Sequence, residues 1–143
     1  MKRLLIITVM CAVGFLSAIS FAEDSVYEPV PVMEHPSDNK WSKVKEELGK
    51  MLYFDPRLSG SNWISCATCH NPGLGWGDGL PRTIGDGQKE LGRHAPTIIN
   101  SGFFEVQMWD GRKKSLEDQA QGPIAATVEM NQDYDELIME LKA

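Results

Sequence analysis

Residues 66–70 read Cys-Ala-Thr-Cys-His, and no other segment limits so tightly what this chain can fold into. Two thiols three positions apart lie about one helical turn from each other, and the next residue carries an imidazole. Cys11, the third cysteine, stands in the middle of an apolar run near the N-terminus, so Cys66 and Cys69 must account for each other. A disulfide between them would be sterically poor and would close almost no loop. A zinc site needs two further ligands, and only His35, His94 and scattered carboxylates are on offer. A redox dithiol calls for a βαβ setting, whereas a glycine-rich stretch follows here. Covalent haem answers the pattern: Cys66 and Cys69 reach the two vinyl groups of one porphyrin, and His70 swings beneath the ring as the proximal iron ligand.

Such attachment takes place outside the cytoplasm, and the start of the chain agrees. Lys2 and Arg3 form a basic beginning, Leu4 to Phe15 an apolar run, and Ser20-Phe21-Ala22 a small-x-small cleavage site, so residues 1–22 read as a secretory signal peptide. The run is shorter than a spanning helix requires, and Glu23 and Asp24 follow it. Periplasmic localisation is the expectation. The remaining chain carries 12 basic and 20 acidic residues, a net −8, which disfavours nucleic acid and suits a basic protein partner or a solvated acidic surface.

Residues 23–41 hold Pro29, Pro31 and Pro36 without apolar periodicity and read as an extended arm. From 42 to 143 the chain reads as one haem domain. Ser42 caps a first helix with Val44, Leu48, Met51 and Leu52 on one face, ended by Asp55-Pro56. Residues 71–102 are too rich in glycine for strands, as Gly73, Gly75, Gly77, Gly79, Gly85, Gly87 and Gly92 show. A helix begins at Ser115 and is expected to stop before Gly122-Pro123. A last one runs from Asp133 with Tyr134, Leu137, Ile138 and Leu141 in phase, and its stripe is still running at Ala143, as in a longer protein cut short. The fold class is mostly α. For the second axial position on iron, Met130 and Met108 are candidates, although a lone methionine is more often core filling.

Beyond these patterns, Leu48 to Ser59, the Cys66 to His70 motif, Gly92-Arg93-His94-Ala95-Pro96-Thr97 with Asn100, Trp109-Asp110-Gly111-Arg112, Gln119 and Val128-Glu129-Met130 together resemble the bacterial di-haem cytochrome c peroxidases and their methylamine-utilisation relatives. The resemblance implies an α-helical, cytochrome c-like N-terminal haem domain that reduces hydrogen peroxide. Its electrons come from a second haem domain fed by a small cytochrome or cupredoxin. By position it implies His70 as proximal ligand, Glu129 as acid-base, Gln119 as a hydrogen-bonding aid to peroxide or water, and Trp109 as an electron relay. Asp86 stands where many members carry a distal histidine, and a carboxylate replaces imidazole poorly on low-spin haem iron. The family's calcium site uses an asparagine where His94 stands, and imidazole suits that hard cation badly. No second Cys-x-x-Cys-His is present, so the sequence resembles the peroxidatic half of an oxidoreductase. A homodimer is a further expectation to test. The rivals are a mono-haem electron carrier with His70 and Met130 as axial ligands, and an incomplete fragment.

Overall fold

A computed structural model describes residues 29–143. The expected signal peptide and the first residues of the expected arm lie outside the described residues. Contacts divide the chain between Val32 and Met33; Pro29 to Val32 have no regular structure, and the second unit, Met33–Ala143, is described below. It is mostly helical. Four α-helices are joined by loops and 3-10 turns, with isolated β-bridges in place of a sheet among the described residues: α1 (Lys43–Tyr53), α2 (Cys66–Cys69), α3 (Leu116–Ala125) and α4 (Tyr134–Lys142).

The start of α1 follows from Ser42, whose extended backbone leaves its hydroxyl free to accept from the Lys45 N–H at 3.3 Å. It stops because Pro56 cannot donate and pushes Asp55 into the extended region. The Asp55 carboxylate then accepts the Arg57 N–H at 3.0 Å and starts the 3-10 turn Pro56–Leu58. The apolar stripe of α1 faces outward: Val44, Leu48 and Met51 are exposed, and Leu52 alone of the four packs on the core.

Helix α3 runs past the expected stop. Its N-cap is Ser115, accepting from the Asp118 N–H at 3.2 Å, but the helix continues through Gly122-Pro123 to Ala125. Gly122 has no Cβ to collide with the proline ring, so Pro123 costs the helix its own N–H and the crowding of its ring against the preceding turn, but no clash with the residue before it. The final carbonyls find donors in the next segment: Ala126 N–H on Gly122, Met130 N–H on Pro123 (both 3.1 Å) and Gln132 N–H on Ile124 (2.9 Å). These bonds secure a turn that local propensity disfavours.

Asp133 caps α4, accepting from the N–H groups of Asp135 and Glu136 at 2.8 and 3.2 Å. The helix lays Leu137 onto Leu58 and Met130, with Leu52, Cys66, Ile124 and Leu141 around them. Among the described residues the buried hydrophobic side chains are Leu58, Ile64, Met130 and Leu137 alone, while large apolar groups such as Trp63, Phe104 and Trp109 are exposed. So small a core cannot order the glycine-rich loops unaided. No described helix is long and apolar enough to cross a membrane.

Candidate haem site

The Cys66–Cys69 turn is capped reciprocally: the Thr68 N–H donates to the Ser65 carbonyl and the Ser65 N–H to the Thr68 hydroxyl, both at 3.0 Å. Both cysteines are unbridged and half-buried. Burial pushes the Cys69 thiol up to about 11, with Asp78, Glu129 and Cys66 adding to the effect, and burial likewise raises Cys66. That is the reverse of the activated thiolate in a redox Cys-x-x-Cys. Among the described residues no three His, Cys, Asp or Glu side chains gather as a zinc ion would require.

His70 closes the turn. Its N–H donates to the Cys66 carbonyl at 2.9 Å, and its own backbone leaves the helical region. Ring Nδ1 lies 2.9 Å from the Pro96 carbonyl oxygen, which can only accept, so Nδ1 carries the proton and Nε2 keeps a bare lone pair. The neighbouring loops bring that carbonyl into range. Gly77 lets the chain pass close, since a Cβ there would lie 3.0 Å from the Ala95 oxygen. The Thr97 hydroxyl donates to the Gly75 carbonyl at 2.7 Å, fixing the residue after Pro96. On the other side, the Tyr53 hydroxyl donates to the His70 carbonyl at 2.5 Å and packs on Phe54 and Trp76. Burial raises the Tyr53 phenol to about 12, with both thiols contributing, so it remains a donor at neutral pH.

Two cavities flank this segment. One of about 310 Å³ opens on Cys69 and is lined by Ile64, Leu80 and Ile84; another of about 540 Å³ lies beside Tyr53, Phe54, Trp76 and Ile98. The residues present therefore fit covalent haem: two adjacent neutral thiols, an imidazole oriented with its outer nitrogen free, and apolar hollows beside a core too small for the chain.

The other sequence-expected residues are distributed as follows. Glu129 is half-buried, and burial raises its carboxyl above the usual range, while Arg112 and His70 draw it back. The Gln119 amide points at Met108, with Nε2 3.6 Å from the sulfur. Trp109 is largely exposed and meets His94 edge to face, ring centres 5.3 Å apart. Asp110 lies next to it and pairs with Arg112 at 2.7 Å and Arg93 at 3.4 Å. Met130 is core, enclosed by Leu58 and Leu137. Asp86 is buried, with its N–H on the Glu129 carbonyl at 2.7 Å. The Pro96 carbonyl and Asn131, which donates to Asp86 at 3.3 Å, escaped the sequence reading. A backbone oxygen leaves no side-chain signal, and Asn131 belongs to no motif.

Against known proteins, residues 43–143 match the family described as di-haem cytochrome c peroxidase. The methylamine utilization protein MauG of Methylorubrum extorquens is 50% identical over 116 residues, covering 81% of this chain and 32% of that protein. The cytochrome c551 peroxidase of Pseudomonas aeruginosa is 44% identical over 110 residues, covering 75% of this chain and 31% of that one. Among solved structures, a MauG-like protein associated with microbial copper homeostasis superposes with a TM-score of 0.73 at 30% identity, over 85% of this chain and 36% of its own. The chain spans about a third of the length of the curated relatives it matches. The matched residues 43–143 contain one Cys-x-x-Cys-His motif, and the chain belongs to the di-haem cytochrome c peroxidase family.

Proposed function

We propose that this chain is the peroxide-reducing part of an exported di-haem peroxidase, turning hydrogen peroxide, two protons and two electrons into two waters. The observation that carries the proposal is the His70 ring, held by Pro96 with Nε2 free beside two neutral thiols, together with a half-buried carboxylate at Glu129 whose field reaches both Cys69 and His70. Cys66 and Cys69 would hold haem c through thioethers and His70 would ligate its iron; bound haem supplies the redox centre at which the peroxide bond is broken. Glu129 accepts a proton from the near oxygen and returns it to the far one, so that water and not hydroxide leaves. Its raised affinity for protons, caused by burial, brings it closer to the operating pH of such a relay. Gln119 offers amide hydrogens to peroxide or water. Trp109, exposed and flanked by Arg112, Asp110 and His94, is the exit for electron exchange with a second haem. A cytochrome or cupredoxin is the external donor, and the periplasm the compartment, as the basic-apolar start of the chain implies.

A second reading, oxidation of a protein substrate, is what the resemblance to the methylamine-utilisation branch implies, and the 50% identical relative is named a methylamine utilization protein. The two differ in what consumes the oxidising equivalents, a donor cytochrome or a protein side chain. Replacement of Glu129 by Gln tests the common core: peroxide turnover with a supplied reductant is expected to fall by roughly 10² or more. Unchanged turnover removes the assignment.

A further inference from the structure

The glycine-rich loop is seated on the backbone that carries Glu129. It closes on itself, Gly85 N–H to Lys89 carbonyl and Leu91 N–H to Thr83 carbonyl, both at 2.8 Å, and its Asp86 N–H reaches across to the Glu129 carbonyl at 2.7 Å. The approach is so close that a Cβ on Gly85 would stand 2.0 Å from the Val128 oxygen and 2.9 Å from that of Glu129. The Asp86 side chain adds a second attachment, accepting on Oδ2 from Asn131 Nδ2 at 3.3 Å. Asn131 is itself held in the left-handed region, at φ 52°. Asp86 is only 6% exposed, and its Oδ1 is buried with no partner among the described residues. A buried carboxylate oxygen without a donor works against stability, so packing alone does not account for an aspartate here.

The geometry points to Asp86 as a positioning residue of the peroxide site: its side chain, through Asn131, fixes the segment on which Glu129 stands. The inference rests on the acid-base role proposed for Glu129, and Asp86 moves no proton itself.

The test uses the haem-loaded protein, peroxide and a chemical reductant, with hydrogen-deuterium exchange of the 126–132 segment as the readout independent of activity. Asp86→Ala and Asn131→Gly, the latter keeping the left-handed backbone without strain, are each expected to lower kcat about 10-fold with KM little changed, and to speed exchange of that segment. Asp86→Asn retains an acceptor for Asn131 and is expected to keep kcat within about twofold. On a Glu129→Gln background, Asp86→Ala is expected to cost nothing further, because it acts through Glu129. Full kcat in both Asp86→Ala and Asn131→Gly overturns the inference, and so does an equal loss on the Glu129→Gln background. Should Asp86→Ala fail to fold, Asn131→Gly decides alone. If Glu129→Gln itself leaves turnover intact, the acid-base reading has failed, and exchange then judges the strut: rates unchanged from wild type in Asn131→Gly refute it.

Discussion

Adding a single methyl group at Gly85 tests the seating of the loop without touching any polar group. Gly85 has φ −99° and ψ −160°, an extended conformation open to alanine, so backbone strain is not the issue. The methyl would stand 2.0 Å from the Val128 oxygen, 2.9 Å from the Glu129 oxygen and 3.0 Å from the Glu129 Cα, all backbone atoms that cannot swing aside. Restoring ordinary contact requires the two chain segments to part by more than about 1 Å, and overpacking of this kind costs about 1–3 kcal/mol. Parting them also stretches the 2.7 Å bond from Asp86 N–H to Glu129, worth about 1 kcal/mol. The expected total is about 2–4 kcal/mol. Gly49 supplies the contrast, lying inside α1 with nothing within 4 Å of its Cβ position. Gly49→Ala is expected to stabilise by about 0.5–1 kcal/mol. Thermal or denaturant unfolding of the haem-loaded protein, followed by far-ultraviolet circular dichroism, measures both. If the two variants lie within about 0.5 kcal/mol of each other, the close approach described at Gly85 is wrong.

Three further outcomes are expected. Met130→Leu keeps the volume of a core position and should cost less than about 1.5 kcal/mol with the haem spectrum unchanged, whereas an altered spectrum would mark Met130 as an iron ligand. Leu137→Ala in the same cluster should cost about 2–5 kcal/mol by denaturant unfolding, a smaller loss meaning that α4 is not held by this contact. Burial raises the Glu129 pKa in the folded state, so its contribution to stability is fully present below the ordinary carboxylate value of 4.5 and is lost as pH rises through the folded value. Glu129→Gln should therefore melt higher than wild type at neutral pH, with the gain gone in acid; a gain independent of pH would deny that the charge is desolvated.

The elements that sequence makes visible are those whose signals are local. Ser42, Ser115 and Asp133 cap the helices they head, since a hydroxyl or carboxylate needs only the next few N–H groups to act. The same holds for the single turn between Cys66 and Cys69. The end of α3 was not legible, because the donors that carry it past Pro123 come from Ala126, Met130 and Gln132 and become neighbours only in the folded chain. The outward face of α1 was equally hidden: periodicity groups Val44, Leu48 and Met51 but does not say what they face. Of the candidate site, Cys66, Cys69 and His70 stand out by their motif, whereas Glu129, Gln119 and Trp109 are proposed through the resemblance alone. The carbonyl that orients His70 and the strut beneath Glu129 depend on loops crossing at Gly77 and Gly85, and glycine in a sequence signals freedom without revealing what comes close.

The most direct measurement is the coordination and spin state of the ferric haem in the purified protein, by optical and electron paramagnetic resonance spectroscopy. A high-spin or water-ligated iron is the expected result, because the proposed function gives the iron one axial nitrogen, that of His70, the resemblance sets Asp86 where a distal histidine would stand, and Met130 is enclosed in the core. A low-spin iron with histidine and methionine ligands would contradict the peroxide site and make the chain an electron carrier.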